Sequence, residues 1–167
     1  MIYRFRVILD AHEDVFRDLE IDQSATMEDF HNAITQSFGF GGQEMASFYI
    51  SNEEWLQGEE ISLFGMEDDV RVMGETSIDE VVSEEQTRLI YIYDFLNMWT
   101  FLVELAEIAE PIEGTLYPNL MFAHGEIPDE APEKEFVAEN INENQDIDDL
   151  DFDPEDYENL DFNENWN

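Results

Sequence analysis

The sequence predicts an α+β domain: one main helix and a short second helix packed on a mostly antiparallel sheet, with a β-grasp-like strand order, followed by a disordered acidic tail. Three observations lead there. Met27, Phe30, Ile34 and Phe38 recur at spacings of three and four, the mark of one buried helix face. The other apolar residues of the first 113 positions fall in short β-rich runs, two of them close enough to form a hairpin. The resulting order is strand, strand, helix, strands, short helix, strand pair, which does not alternate as a parallel βαβ protein would.

Taken in order, Ile2 to Leu9 and Val15 to Ile21 are the first two strands, turned at His12-Glu13-Asp14. Ser24 and Thr26 offer an N-cap to the helix, and Glu28 and Asp29 fall in its first turn, where the helix dipole favours acids. Gly39 supplies the stop. Phe48 with Ile50 marks a third strand; Ile61 to Phe64 and Val70 to Met73 are weaker ones. Ser77-Ile78-Asp79-Glu80 reads as a capping box opening a short helix through Val82. Leu89 to Tyr93 is the strongest strand, and Phe101 to Ile108 its partner.

The chain has 167 residues, 43 Asp plus Glu, 6 Lys plus Arg and no Cys, for a formal charge of -37. Its apolar content of 43% is enough for a core and excludes a wholly disordered chain. So few cations argue against phosphate backbones and anionic membranes as partners, because both are bound through Lys and Arg. Without Cys, disulfides, thiolate zinc sites and Cys nucleophiles are all excluded. No apolar run is long enough for a signal peptide or a membrane span, and the expected compartment is the cytoplasm. A boundary falls near Gly125. Residues 1–125 form the folded domain, and 126–167 carry 17 acids and one base (Lys134) with little periodic apolar pattern, a composition expected to stay disordered on its own.

Few residues offer chemistry. His12, His31 and His124 are the only imidazoles, and none has a second ligand at metal-binding spacing. His12 reads as a turn residue, His31 as lying at the edge of the core or in solvent, and His124 as closing the domain. Gly39-Phe40-Gly41-Gly42 follows a helix and does not open one, so it is a C-cap and turn without the helix N-terminus that holds phosphate. Asp149, Asp151 and Asp153 have the opening spacing of an EF-hand, but Pro154 and Leu160 stand where Gly and Glu are required. No metal site and no cofactor are expected. Among the tail acids stand Phe152, Tyr157, Leu160, Phe162 and Trp166. Such a segment is either a solvated tail or a linear docking segment whose aromatics anchor in a partner while its charges steer it to a basic surface.

Tyr3-Arg4-Phe5-Arg6-Val7, Phe30-His31-Asn32-Ala33-Ile34 with Phe38-Gly39-Phe40, and Tyr91-Ile92-Tyr93-Asp94-Phe95 before Trp99 resemble, in order and spacing, the plasmid pRiA4b ORF-3-like family over about residues 1–118. The resemblance implies an α+β domain, relatives carried as accessory passengers on plasmids and insertion elements, and no established enzymatic activity. It also implies departures. Where relatives follow Tyr-Asp-Phe with Gly-Asp-Asn-Trp and a His, this chain has Leu96, Asn97, Met98, Trp99 and Phe101, so Asp94 alone survives of that motif's acids and His.

Three functions fit these residues. The first is a non-enzymatic interaction module that docks an unknown basic protein through Phe152, Tyr157, Phe162 and Trp166. The second is a divergent metal-dependent hydrolase or nucleic-acid-processing enzyme with Asp94 and Glu44 as its carboxylates, since paired carboxylates can hold a divalent metal. Asp94 has a plain alternative as a turn residue. The third is a nucleic-acid mimic whose carboxylates occupy a DNA-binding protein.

Overall fold

The computed structural model describes residues 1–65 and 69–132. Within them the elements are β1 (Ile2–Leu9), β2 (Phe16–Asp22), α1 (Met27–Phe38), β3 (Ala46–Ile50), β4 (Glu60–Ser62), β5 (Arg71–Val72), β6 (Arg88–Tyr93), β7 (Trp99–Ala109) and β8 (Asn119–His124), and the eight strands build one open sheet in the order β5-β4-β3-β6-β7-β1-β2-β8. Every neighbouring pair is antiparallel except β4 and β5 at one edge. The last long strand β7 does lie beside β1, as in a β-grasp sheet. It runs antiparallel to β1, whereas the β-grasp neighbour of the first strand is parallel, so the expected β-grasp-like order is corrected to an antiparallel eight-stranded sheet.

The helix forms where its caps and apolar spacing place it. The Thr26 hydroxyl accepts the Asp29 N–H at 3.0 Å, and the Asp29 carboxylate accepts the Thr26 N–H at 3.1 Å, so two amides without helical partners are satisfied reciprocally. Gly39 ends the helix in the left-handed region at φ 86°. Met27, Phe30, Ile34 and Phe38 face the sheet, which answers with the period-2 positions Phe5, Val7, Leu19, Phe48, Tyr91, Phe101 and Val103. Phe30 is the centre of this layer, with ring centroids 4.5 Å from Phe5 and 5.4 Å from Phe48.

Three local expectations change. The short helix after Ser77 is a single 3-10 turn, Ile78–Glu80, although its capping box is present. Val81, Val82 and Ser83 follow, and β-branched residues there favour no further turn. The strand β8 was not expected at all: Asn, Met and Ala carry little β propensity, and the segment is a strand because β2 offers it an edge. His31, expected at the edge of the core or in solvent, is instead 1% exposed.

Past β8, Ile127 and Ala131 pack against the core, and the described unit runs to Pro132. Gly125 makes that turn at φ 79°, where a Cβ would stand 2.6 Å from the Asp14 carbonyl oxygen. Gly125→Ala should therefore destabilise the domain by at least about 1–2 kcal/mol, the cost of a left-handed non-glycine backbone alone. A urea midpoint unchanged from the parent would show that the turn relaxes freely.

Candidate functional site

Asp94 ends β6 at φ 64°, a left-handed conformation Asp tolerates because its side chain bonds locally. Its N–H donates to the Met45 carbonyl at 2.7 Å, and its carbonyl accepts the Met98 N–H at 2.6 Å. Its carboxylate is used as well: Oδ1 accepts the Leu96 N–H at 3.2 Å and Oδ2 the Asn97 side-chain amide at 2.6 Å. The bond to Met45 brings Asp94 to the same end of the sheet as the exposed Glu44. Both Asp94 oxygens are thus committed to the turn. No group of three or more His, Asp or Glu side chains among the described residues is placed to hold a metal ion. Trp99 belongs to the core, its ring tilted against that of Phe40 with centroids 5.1 Å apart.

The body's cations are arranged with more consequence. On the face of the sheet away from α1, Arg4 binds Glu20 at 2.8 Å and Glu107 at 2.7 Å, and Arg6 grips both oxygens of Asp18 at 2.8 and 3.0 Å while lying over the Phe16 ring. Arg71 pairs with Glu59 at 3.1 Å. Arg88 reaches Glu104 at 3.3 Å, donates to the Glu53 carbonyl at 2.8 Å and covers the Trp55 ring. Arg17 is buried and donates to the carbonyls of Ser37, Phe16 and His124; burial lowers its pKa. Exposed pairs of this kind add little stability. Their consequence is a matter of charge: each of the five arginines in residues 1–125 already has partners among the described residues.

Two surface clefts open beside these pairs. One, of roughly 600 Å³, sets Glu53, Glu84, Glu85 and Glu104 around Arg88. The other, of roughly 480 Å³, lies over β7, β1 and β2 and is bordered by Arg4, Arg6, Asp18, Glu104, Glu107 and Met121. Glu104 borders both. The first is rimmed by four carboxylates and one occupied arginine, so it suits a cationic group and repels an anion. No sequence pattern announced it, because β3, β6 and β7 must pair before its residues meet. Inside the core, His31 Nδ1 and the Tyr91 hydroxyl share a hydrogen bond of 2.6 Å. Burial holds the His31 pKa down at about 4 and pushes that of Tyr91 up. Both side chains are buried, and the pair is structural. Phe152, Tyr157, Phe162 and Trp166 lie outside the described residues.

Among the described residues no helix is long and apolar enough to cross a membrane. A search of curated proteins returns no match. Among solved structures, the fold is similar to the crystal structure of protein MM3350, of unknown function, from Methanosarcina mazei Go1. The TM-score is 0.65 at 19% identity, over 73% of this chain and 68% of that one. The family model described as plasmid pRiA4b ORF-3-like protein matches residues 1–166, a longer span than the 1–118 on which the resemblance was drawn, and one that takes in the acidic tail.

Proposed function

The chain belongs to the plasmid pRiA4b ORF-3-like family, and on that premise we propose that it is a non-enzymatic interaction module whose acidic-aromatic tail docks a basic protein. The observation that carries the proposal is the pairing of Arg4, Arg6, Arg17, Arg71 and Arg88 within the body. With those cations engaged, the 17 acids of residues 126–167 are left to an external partner. Phe152, Tyr157, Phe162 and Trp166 supply the apolar anchors, since buried aromatics dominate interface energies while charges mainly set the rate of encounter. The acid-rimmed cleft around Arg88 adds a second place for a cationic side chain. The same pairing argues against direct nucleic-acid binding, which needs unengaged Lys and Arg.

The test is affinity capture from a lysate with the full chain and with a variant in which Phe152, Tyr157, Phe162 and Trp166 are all alanine, at low and high salt. The expected result is a discrete basic protein, identified by mass spectrometry, held by the full chain, weakened by salt and lost in the alanine variant. Equal capture by both chains would remove the tail from the binding role.

A further inference from the structure

Among the described residues strand β8 is an edge of the sheet, and its composition is unlike the rest of the molecule. Asn119–His124 holds no Asp, Glu, Lys, Arg or Pro, in a chain that is 29% charged. Leu120, Met121 and Phe122 are 46%, 47% and 52% exposed. Natural edge strands are usually blunted by charge, proline or shortness, because an open row of N–H and C=O groups is a template for another strand. The opposite edge obeys that rule, since β5 is two residues long and begins with Arg71. Strand β8 does not.

We propose that β8 is the seam of a symmetric dimer, in which a second copy of this chain adds its own β8 antiparallel and two sheets become one. Two features select a second copy as the occupant. The first is charge. Strands β1, β2 and β8 together contain Arg4, Arg6 and Arg17 against Asp18, Glu20 and Asp22, so this end of the sheet is formally neutral in a chain of -37. Arg4 and Arg6 hold Glu20 and Asp18, the two acids that pair across to β8. Two such molecules repel almost everywhere, and here they do not.

The second feature is self-complementarity. The register shift between Asp18 and Leu19 leaves Met121 without a partner on β2, and Met121 borders the cleft on the outer face. Asn119, Phe122 and His124 share that face, with Asn119 donating to Glu20 at 2.9 Å and both Phe122 and His124 lying against Phe16. Leu120 and Ala123 are paired with Leu19 and Arg17, on the helix side. The faces therefore read outer, inner, outer, outer, inner, outer, a pattern unchanged by reversal. A two-fold axis between Met121 and Phe122 sets Asn119 opposite His124, Leu120 opposite Ala123 and Met121 opposite Phe122, each pair on one face, as an isologous interface requires.

The experiment is sedimentation of the full chain over a range of concentrations at low and high salt, alongside Leu120→Lys and Phe122→Lys. The control is Leu96→Lys, at a position 94% exposed in the β6–β7 turn. The expected species has twice the 19.6 kDa chain mass. It should strengthen as salt screens the repulsion between the two acidic bodies, disappear in both edge variants and persist in the control. Hydrogen exchange of the β8 amides should slow as concentration rises. A chain of single mass at every concentration, a dimer that survives both edge lysines, or β8 amides protected in the monomer by the chain's own tail would each overturn the proposal. Salt separates this seam from tail docking, because salt weakens an acidic tail on a basic partner and strengthens a contact between like-charged bodies.

Discussion

Phe30→Ala should be the most damaging single substitution in the helix, lowering stability by about 3–5 kcal/mol. Phe30 is fully buried, and its ring lies between those of Phe5 on β1 and Phe48 on β3. Those strands are separated in the sheet by β7 and β6, so one side chain ties the hairpin half of the sheet to the other half through α1. The rings of Phe48, Tyr91 and Phe101 continue the layer at centroid distances of 4.8 and 5.8 Å, and the void left by alanine would be walled by rigid aromatics unable to close it. Domains are stable by only about 5–15 kcal/mol in all, so the variant should show a large drop in urea midpoint. A loss below 1.5 kcal/mol would mean that the layer repacks and that Phe30 is not its centre.

Acid should destabilise the domain through His31 before it does so through the carboxylates. The group is a base whose folded pKa, about 4, lies below its ordinary 6.5 because burial disfavours the imidazolium. Between those values the unfolded chain takes up a proton that the folded one refuses, so stability is full above pH 6.5 and falls as pH drops toward 4. The span corresponds to no more than about 3–4 kcal/mol, at roughly 1.4 kcal/mol per pH unit. The carboxylates of Asp22 and Glu80, whose pKa values are lowered by hydrogen bonds from Ser24 and Ser77, act in the same direction at lower pH, losing their contributions only as pH falls below their ordinary values. Lower pH also relieves the net negative charge, so the useful comparison is with a His31→Leu, Tyr91→Phe double variant, which replaces both hydrogen-bond partners with apolar groups. Urea titrations at pH 7.5, 6 and 5 should show the parent losing stability relative to the double variant. Parallel pH profiles would show that His31 protonates freely in the folded state.

The parts of the fold visible in sequence are those whose signal is local. Thr26 with Asp29, the spacing from Met27 to Phe38, and Gly39 specify α1 without reference to the sheet. The continuous β-branched and aromatic run Leu89 to Tyr93 specifies β6, and Asp94 the turn after it. Strand β8 depends on β2 for its existence, and the sense in which β7 meets β1 is a property of the whole sheet, so neither is legible along the chain. His31 shows the same limit. Its neighbour Phe30 marks the buried face, but only β6 brings Tyr91 to its Nδ1. In the candidate site, Asp94 was legible as a turn residue because Asp suits left-handed backbone, while the pairing of all five arginines was not, since Arg4 and Glu107 are brought together only by β1 meeting β7.

The acidic tail is proposed to act on an outside partner because the body's own cations are engaged. That action is tested most directly by the affinity of the captured basic protein for the full chain and for the four-alanine variant, each measured at low and high salt. The expected result is tight binding by the full chain that falls steadily with salt, and weak binding by the variant at both. Affinity that is equal in the two chains, or indifferent to salt, would contradict it and move the binding surface onto the folded domain.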